Sequence, residues 1–388
     1  MKRFITTALV GVICFALGVA FQRYSDSRRP PAPAAVEIAP PKPAPKPSIQ
    51  FDREPLWAYG FDTVAKEGDT APPQAAPNRN LRPNEDPAEQ TKSRQARGSR
   101  ASYSLVDVRD GHNVIDWFPQ DHPTPMPPII KTGPAAGNGN TSRGCGSCHL
   151  PNGKGRPENA PPAGLPVAYF MRQLQDFRNG LRRSADPRKP NTNTMIELAK
   201  VMTDEEMRLS AEYFGAVKWT PWIRVVESAQ APKVRSQAGM WIPLQGADAG
   251  MEPIGMRIIE TPENPEYAEK MRSARSGFIA YVPVGSVAKG QQLVNNGDAA
   301  RGIIACTVCH GGDLHGIQPN IPSIAARSPS YIARQLFDFQ NGARNGPMGA
   351  LMKPVVTNMT NEDFVNISAY LASRPAQAQQ PTFSTASN

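Results

Sequence analysis

The sequence predicts an all-α protein built from two tandem helical domains of one design, with an N-terminal membrane helix and an irregular or short-strand insert between the domains. Three observations support this prediction. A motif of two cysteines and one histidine occurs twice, as CGSCH at 145–149 and as CTVCH at 306–310. A helical pattern recurs in register after each motif, which indicates duplicated domains. An apolar run of eighteen residues without a charge occupies positions 4–21.

The two motifs have the spacing through which c-type haem is attached to a protein. Two thiols three positions apart on one helical turn can form thioethers to the two vinyl groups of one porphyrin, and the histidine that follows becomes an axial ligand of the iron. A redox dithiol or a zinc site is the alternative, but zinc needs further ligands that neither motif supplies unless the two pool their thiols. The sequence therefore predicts two covalently bound haem c groups, held by Cys145, Cys148 and His149 and by Cys306, Cys309 and His310.

Composition and charge exclude several other classes of protein. The chain has 388 residues, enough for two or three domains, and its 41 prolines and 31 glycines indicate much loop and linker. Four of the five cysteines belong to the motifs, which leaves no disulfide framework. The formal net charge is +9, and seven basic and two acidic residues in the first 50 positions supply +5 of it. No continuous basic stripe remains, so nucleic-acid binding is not expected.

The N-terminal apolar run has the minimum length of a membrane-spanning helix, for which about 20 residues is usual. A cleaved signal peptide is the alternative, because Gly18, Val19 and Ala20 offer small residues to a peptidase. The retained anchor is favoured on length. Because bacteria attach haem c outside the cytoplasmic membrane, the prediction is a bacterial inner-membrane protein whose soluble domains face the periplasm. An aromatic island with Trp57 and Tyr59 either packs on the next domain or docks a partner.

The internal repeat extends well beyond the two motifs. YFMRQLQDFRNGLR at 169–182 parallels YIARQLFDFQNGAR at 331–344, and the glycine in each predicts the end of a helix. Farther on, the segments 203–206 and 360–363 begin with threonine and end with an acid, which is the pattern of a capping box. The predicted domains are an N-terminal membrane anchor at 1–22, a Pro-rich linker at 23–100, a first haem domain at 101–218, an insert at 219–284, a second haem domain at 285–375 and a disordered tail at 376–388.

On these motifs each repeat resembles a class I cytochrome c domain, and the tandem is similar to the diheme cytochrome c4 type. The resemblance covers roughly residues 140–216 and 285–373. It implies that the carbonyl of a proline about a dozen residues after the axial histidine accepts the imidazole N–H, and Pro161 and Pro322 stand at that place. Such a bond would orient the ring and strengthen it as a ligand. An ordinary loop proline is the alternative reading.

Methionine sulfur is the predicted sixth ligand of both irons, because a thioether suits a high-potential carrier. Met195 lies seven residues before Met202, and Met352 lies seven residues before Met359, so Met195 and Met352 hold equivalent places in the repeat. Met202 competes in the first copy and Met348 in the second. The remaining alternative is that these are loop or core methionines and that a histidine completes one iron.

The function predicted from these features is electron transfer, without catalytic residues and without enzymatic activity of its own. The chain would be a membrane-anchored periplasmic diheme cytochrome that passes single electrons between respiratory partners: a dehydrogenase, a quinol-oxidising complex or a terminal oxidase. The alternatives are a cytochrome subunit of a larger dehydrogenase or oxidase complex, and a diheme peroxidase-type or thiosulfate-oxidising enzyme with one open iron. His112, His122 and His315 are interpreted as surface or hydrogen-bonding residues.

Overall fold

A computed structural model describes residues 54–66, 68–71, 82 and 84–376. The chain divides into two compact units, Met1–Pro43 and Ala44–Asn388, and all described residues belong to the second unit. Numbered in chain order, the α-helices of this part are α1 (Leu56–Tyr59), α2 (Pro87–Thr91), α3 (Leu105–Val108), α4 (Pro128–Lys131), α5 (Gly146–His149), α6 (Val167–Arg178), α7 (Pro190–Val201), α8 (Asp204–Ala216), α9 (Ser286–Asn296), α10 (Thr307–His310), α11 (Pro329–Gln340), α12 (Lys353–Val356) and α13 (Asn361–Ser373).

The helices of the repeat form where the sequence predicts them. α6 and α11 are both twelve residues long, and each is followed by a glycine with positive φ, +70° at Gly180 and +64° at Gly342. This conformation is open to glycine without a steric penalty, which explains why each helix ends there. The capping boxes at 203–206 and 360–363 are confirmed, because in both the threonine and the acid exchange hydrogen bonds with the opposite backbone N–H.

Each half of the protein has its own apolar core. In the first half, α4, α6 and α8 contribute Ile130, Leu174, Phe177, Met207 and Phe214, all buried. In the second half, α9, α11 and α13 contribute the corresponding buried residues, which are Leu293, Val294, Leu336, Phe337, Phe364 and Ile367.

In the second half α9 and α13 cross at very short range. Gly290 of α9 lies so close that an added Cβ would be 1.9 Å from the carbonyl oxygen of Asn366. The missing side chain of Gly290 is therefore what permits the two helices to meet.

The prediction of an all-α fold is wrong, because the region between the halves forms three sheets. The strands are β1 (Ile223–Glu227), β2 (Gln230–Pro232), β3 (Val234–Gln237), β4 (Met240–Pro243), β5 (Met251–Pro253), β6 (Ile259–Pro262) and β7 (Phe278–Val282). The largest sheet has the order β1-β7-β6, with β1 parallel and β6 antiparallel to β7. β2 pairs with β5 and β3 with β4, both antiparallel. β-branched and aromatic residues favour these extended strands over helix.

The central strand β7 ties the insert to both cores. Phe278 is part of the apolar core of the first half, whereas Ala280 and Val282 belong to the core of the second half. Successive residues of a strand point to opposite faces, so these three, which are two positions apart, share one face, and all of them are buried. One face of β7 therefore spans both cores, which makes the insert a structural part of the protein.

The prediction of an inner-membrane protein is also wrong as far as the structure describes the chain. Among residues 54–66, 68–71, 82 and 84–376, no helix has both the length and the apolar character needed to cross a membrane. The predicted anchor at 1–22 and the predicted tail from 377 onward lie outside the described residues. The domain boundaries given above stay predictions.

The aromatic island is buried within the chain itself. Tyr59 is fully buried and its hydroxyl donates to Asp338 Oδ1 (2.8 Å), while Trp241 Nε1 of the insert donates to the carbonyl oxygen of Trp57 (2.8 Å). Lys189 of the first half donates to the carbonyl oxygen of Tyr59 (3.3 Å). The segment around α1 thus contacts both halves and the insert.

Candidate haem sites

The first attachment motif forms a single helical turn. Cys145 lies at the N-cap of α5, and the turn ends at His149. His149 Nδ1 donates to the carbonyl oxygen of Ala160 (2.7 Å), so the acceptor is one residue earlier than the predicted Pro161. The carbonyl oxygen of Pro161 instead accepts from the Arg327 guanidinium (2.8 Å). With Nδ1 engaged, Nε2 of His149 is the nitrogen left for a metal.

The second attachment motif has the same local geometry. Cys306 lies at the N-cap of α10, and His310 is the last residue of the turn. His310 is 9% exposed, and its Nδ1 donates to the carbonyl oxygen of Pro322 (2.9 Å), the acceptor that the resemblance implies. Cys306 and Met352 are partly buried against the same apolar core.

Burial determines the protonation of these residues in the protein without its cofactor. It lowers the pKa of His149 and of His310, so both rings are neutral and have a lone pair for a metal. It raises the pKa of Cys145 and of Cys306 to about 12. Among the described residues, no group of three or more His, Cys, Asp or Glu side chains is placed to hold a metal ion.

A cavity of about 160 Å³ brings the predicted residues of the first site together. Cys145, Cys148, His149 and Met195 all line it, as does the competing ligand Met202. Met195 belongs to α7 and is partly buried, whereas Met202 follows the helix and is 6% exposed. The choice between the two sulfurs stays a prediction.

In the second site the candidate methionines flank a short 3₁₀ turn, Gly349–Leu351. Met348 precedes this turn, and Met352 follows it at the start of α12. Both are partly buried. Met352 packs against the same core as Cys306, which supports it over Met348, but the assignment stays a prediction.

The lining and charge of the first cavity suit an apolar macrocycle that carries carboxylates. Its walls are mostly apolar side chains, namely Ile129, Pro162, Leu165, Phe170, Leu174, Phe177, Leu198 and Phe214. Arg182, Lys189 and Arg334 also line it, and burial lowers the pKa of Lys189 to about 7. Glu158 and Asp338 line the cavity as well, but among the described residues neither forms a salt bridge with these three side chains, which would therefore be available to the haem carboxylates.

A ring of hydrogen bonds joins the two halves beside this cavity. Arg182 donates to Gln173 Oε1 (3.0 Å) and to Gln335 Oε1 (2.9 Å), and Arg344 donates to the same two oxygens (2.6 and 3.2 Å). The backbones of Arg182 and Arg344 pair as an isolated antiparallel bridge. All four residues occupy equivalent places in the repeat. The ring therefore joins equivalent residues of the two halves in an approximately symmetric contact.

The contacts of two arginines near the first site, the buried Arg327 and the half-buried Arg272, could not be found from the sequence. Arg327 is 2% exposed, donates also to the carbonyl oxygen of Ala163 (2.9 Å) and stacks 3.9 Å above the ring of Trp219. Arg272 of the insert donates to the carbonyl oxygen of Ser147 inside the first motif. Each acts on residues more than a hundred positions away, and no local pattern reports such a contact.

Two of the remaining histidines have ring partners of their own. His122 uses both ring nitrogens, Nδ1 toward the carbonyl oxygen of Pro123 (3.0 Å) and Nε2 toward Asp116 (3.1 Å). His112 Nδ1 bonds to Ser142. His315 is half-buried; its backbone N–H donates to Asp313, but its ring Nδ1 is buried without a hydrogen-bond partner among the described residues. The contacts of His112 and His122 agree with the interpretation of these two as hydrogen-bonding residues, and the interpretation of His315 stays a prediction.

Comparisons with known proteins match both halves of the chain. The family model for cytochrome c matches residues 287–375. Cytochrome c-554(548) of Halomonas halodenitrificans is 36% identical over 81 residues, which are 20% of this chain and 98% of that protein. Cytochrome c4 of Azotobacter vinelandii is 25% identical over 243 residues, 61% of this chain and 87% of the relative. The thiosulfate dehydrogenase electron acceptor of Thiomonas intermedia is 25% identical over 234 residues, 60% of this chain and 78% of the relative.

Proposed function

The chain belongs to the cytochrome c family and is a diheme, cytochrome c4-like electron-transfer protein with two covalently bound haem c groups, and from this premise we propose that it passes single electrons between two redox proteins through two irons with histidine and methionine ligands. The observation that carries the proposal is the repeated geometry of the axial histidine. In each half an imidazole donates Nδ1–H to a backbone carbonyl, from the half-buried His149 to Ala160 and from the buried His310 to Pro322. A methionine lies at the equivalent place of each repeat.

The residues of the chain hold the cofactor and set its environment. Haem c supplies reversible one-electron chemistry at its iron. Cys145, Cys148, Cys306 and Cys309 would anchor it by thioethers, and the fixed His149 and His310 would each present Nε2 to an iron. The apolar walls exclude water from the site, and a low-dielectric site disfavours the additional charge of the ferric form.

Met195 and Met352 complete the proposed ligand sets. A thioether sulfur is a weak donor that favours ferrous iron, so both potentials should be high within the range of c-type haems. With six protein and porphyrin ligands on each iron, no coordination position is open to a substrate. The proposal therefore assigns no catalytic residue to the chain.

One partner class follows from the relatives. A relative in Thiomonas intermedia is named as the electron acceptor of a thiosulfate dehydrogenase. We therefore propose a dehydrogenase as the electron donor of this chain, with a quinol-oxidising complex as the alternative donor and a terminal oxidase as an acceptor.

An optical redox titration of the full chain tests this function. The account predicts two reversible one-electron steps, and it predicts spectra of both oxidation states that hydrogen peroxide leaves unchanged. A peroxide-dependent change in the spectrum, with consumption of peroxide, would show an open iron and would favour an enzyme of the peroxidase type.

A further inference from the structure

The two axial histidines bond to carbonyls at different places of the repeat. His149 Nδ1 donates to the carbonyl oxygen of Ala160, eleven positions later, over 2.7 Å. His310 Nδ1 donates to that of Pro322, twelve positions later, over 2.9 Å. The equivalent of Pro322 in the first half is Pro161. The same motif is thus completed by two different backbone acceptors.

The loops after the two histidines otherwise fold in the same register. The backbone N–H six positions after each histidine donates to that histidine's own carbonyl oxygen, at 2.8 Å in the first loop and 2.9 Å in the second. The N–H fourteen positions after each histidine donates over 3.0 Å to the carbonyl oxygen four positions after it, from Ala163 to Gly153 and from Ile324 to Leu314. The change of acceptor is therefore local to residues 160 and 161.

A guanidinium of the second half holds the first loop at this place. Arg327 lies two positions before α11, is buried, and donates through Nη1 to the carbonyl oxygens of Pro161 (2.8 Å) and Ala163 (2.9 Å). Its guanidinium carbon lies 3.9 Å from the centre of the Trp219 ring, and Trp219 Nε1 donates to the carbonyl oxygen of Ala325 (3.3 Å). The carbonyls of Pro161 and Ala163 thus share one cationic donor.

The position that Arg327 holds in the repeat has a different side chain in the first half. Arg327 lies four positions before Tyr331, and the residue four positions before the equivalent Tyr169 is Leu165. The residue directly before each has positive φ, +68° in the first half and +58° in the second, which supports the equivalence. Because a leucine side chain has no donor, it cannot hold a carbonyl of the second loop. The two acceptors therefore differ where the two side chains differ.

The contacts of Arg327 stabilise a buried charge. Burial lowers its pKa to about 10, which leaves the guanidinium cationic at neutral pH. Nε and Nη2 have no hydrogen-bond partner among the described residues, so the two bonds from Nη1 and the stacking on Trp219 compensate the charge. A charged donor forms a hydrogen bond roughly twice as strong as a neutral one. The Pro161 carbonyl is therefore better satisfied by the guanidinium than by a neutral imidazole N–H.

We propose that Arg327 is a positioning residue of the first haem site, which holds the carbonyl oxygens of Pro161 and Ala163 and so leaves Ala160 as the acceptor of His149. A residue of the second half then sets the hydrogen bond of the axial ligand in the first half, and with it the strength of that ligand. This inference rests on the proposed function, because the bond affects electron transfer only when His149 ligates an iron.

The Nδ1 protons of the two axial histidines test the proposal by NMR of the full, haem-loaded chain in its ferrous state, with ¹⁵N-labelled histidine. A shorter hydrogen bond moves the proton signal downfield, so the His149 signal should lie downfield of the His310 signal. Contacts to the Phe214 ring, whose centre is 6.0 Å from that of His149, assign the first of the two.

Arg327→Leu introduces the residue that the first half has at the equivalent position. The His149 signal should then move at least halfway to the His310 signal, because the Pro161 carbonyl becomes free to accept. The His310 signal should stay in place and is the internal control. Arg327→Met, closer in length, replaces Arg327→Leu under the same criterion if that chain does not fold. Arg327→Lys keeps a charged donor and should restore at least half of the original difference.

Arg344→Leu is the matched control for a general loosening of the halves. Arg344 is also buried and also crosses to the first half, but it donates to Gln173 (2.6 Å) and Tyr169 (3.3 Å) instead of the loop. Its replacement should leave the His149 signal in place. Equal positions of the two signals in the unmodified chain, a His149 signal that Arg327→Leu does not move, or one that Arg344→Leu moves as far, would overturn the positioning role. An unmodified chain without the upfield signals that a haem ring imposes on its axial histidine would instead overturn the proposed function.

Discussion

Gly290→Ala should destabilise the second half of the protein. The added Cβ would stand 1.9 Å from the carbonyl oxygen of Asn366 and 2.8 Å from Cβ of Tyr370, where ordinary contacts begin near 3.4 Å. α9 would therefore have to move away from α13 by about 1.5 Å. Such overpacking typically costs about 1–3 kcal/mol, and a clash with a backbone oxygen belongs to the upper part of that range, about 2–3 kcal/mol, while the better helix propensity of alanine returns about 1 kcal/mol. The expected net loss in the free energy of unfolding is about 1–2 kcal/mol. It concerns the contact between α9 and α13, and α9 is the helix that precedes the attachment turn at Cys306.

Urea unfolding of the full, haem-loaded chain measures the loss. The absorption of the haems reports the tertiary structure around them, and the midpoint for the second haem should fall by roughly 0.5–1 M. Gln291→Ala is the matched control, because this exposed residue neighbours Gly290 on the same helix, and such surface changes stay within about 0.5 kcal/mol. A Gly290→Ala protein that is as stable as the control, or more stable, would refute the close crossing of the two helices.

Two further predictions concern protonation and ligation. Burial opposes the charged form of His122, but hydrogen bonds to Asp116 and to the carbonyl oxygen of Pro123 outweigh it and raise its pKa. The stabilisation is therefore complete below the unfolded pKa of about 6.5 and disappears as the pH rises through the folded value. His122→Gln should cost about 1.5–3 kcal/mol near pH 5 and much less near pH 9 in unfolding experiments, and an equal loss at both pH values would contradict the charged pair. Met195→His and Met352→His should each remove half of the weak red absorption band that ferric haem with histidine and methionine ligands shows, and each should lower one reduction potential. If Met348→His removes that half and Met352→His does not, the ligand of the second iron is Met348.

The sequence was sufficient to predict those parts of the site that depend on local spacing. The attachment turns, the twelve-residue helices α6 and α11 and the capping boxes at 203–206 and 360–363 all involve residues within one or a few helical turns. The duplication made the prediction stronger, because each element appears twice in the same order. The chemistry of attachment is likewise local, since two thiols and a histidine on one turn are its whole requirement.

Local spacing does not predict how the strands of the insert pair into sheets. β1 and β7 pair in parallel with Ile223 opposite Phe278, so the partner strand is some fifty residues away. Strands of three to five residues have weak patterns of their own, and only tertiary packing decides whether they pair. Residues 104–118 mix apolar residues with the turn signal Asp110-Gly111, a pattern that predicts a short hairpin, but the segment contains α3 with its own capping box at Ser104.

The contacts that join the halves are equally remote in sequence. Tyr59 meets Asp338 across 279 positions, and Arg327 reaches Pro161 across 166. At the first site the acceptor is Ala160 and not the predicted Pro161, whose carbonyl oxygen accepts from a guanidinium of the other half. Long-range burial of charge leaves no periodic signal in either segment.

The haem content of a Cys309→Ala variant tests the central claim that the chain carries two covalently bound haems. Mass spectrometry of the denatured protein, with acid–acetone extraction, counts the haem that stays on the polypeptide. The account predicts two covalent haems in the unmodified chain. In the variant, the second haem should be lost or held by a single thioether that is cleaved more readily. The first haem should stay on Cys145 and Cys148. An unmodified chain with one covalent haem, or a variant whose haem content and thioether spectrum equal those of the unmodified chain, would contradict the claim.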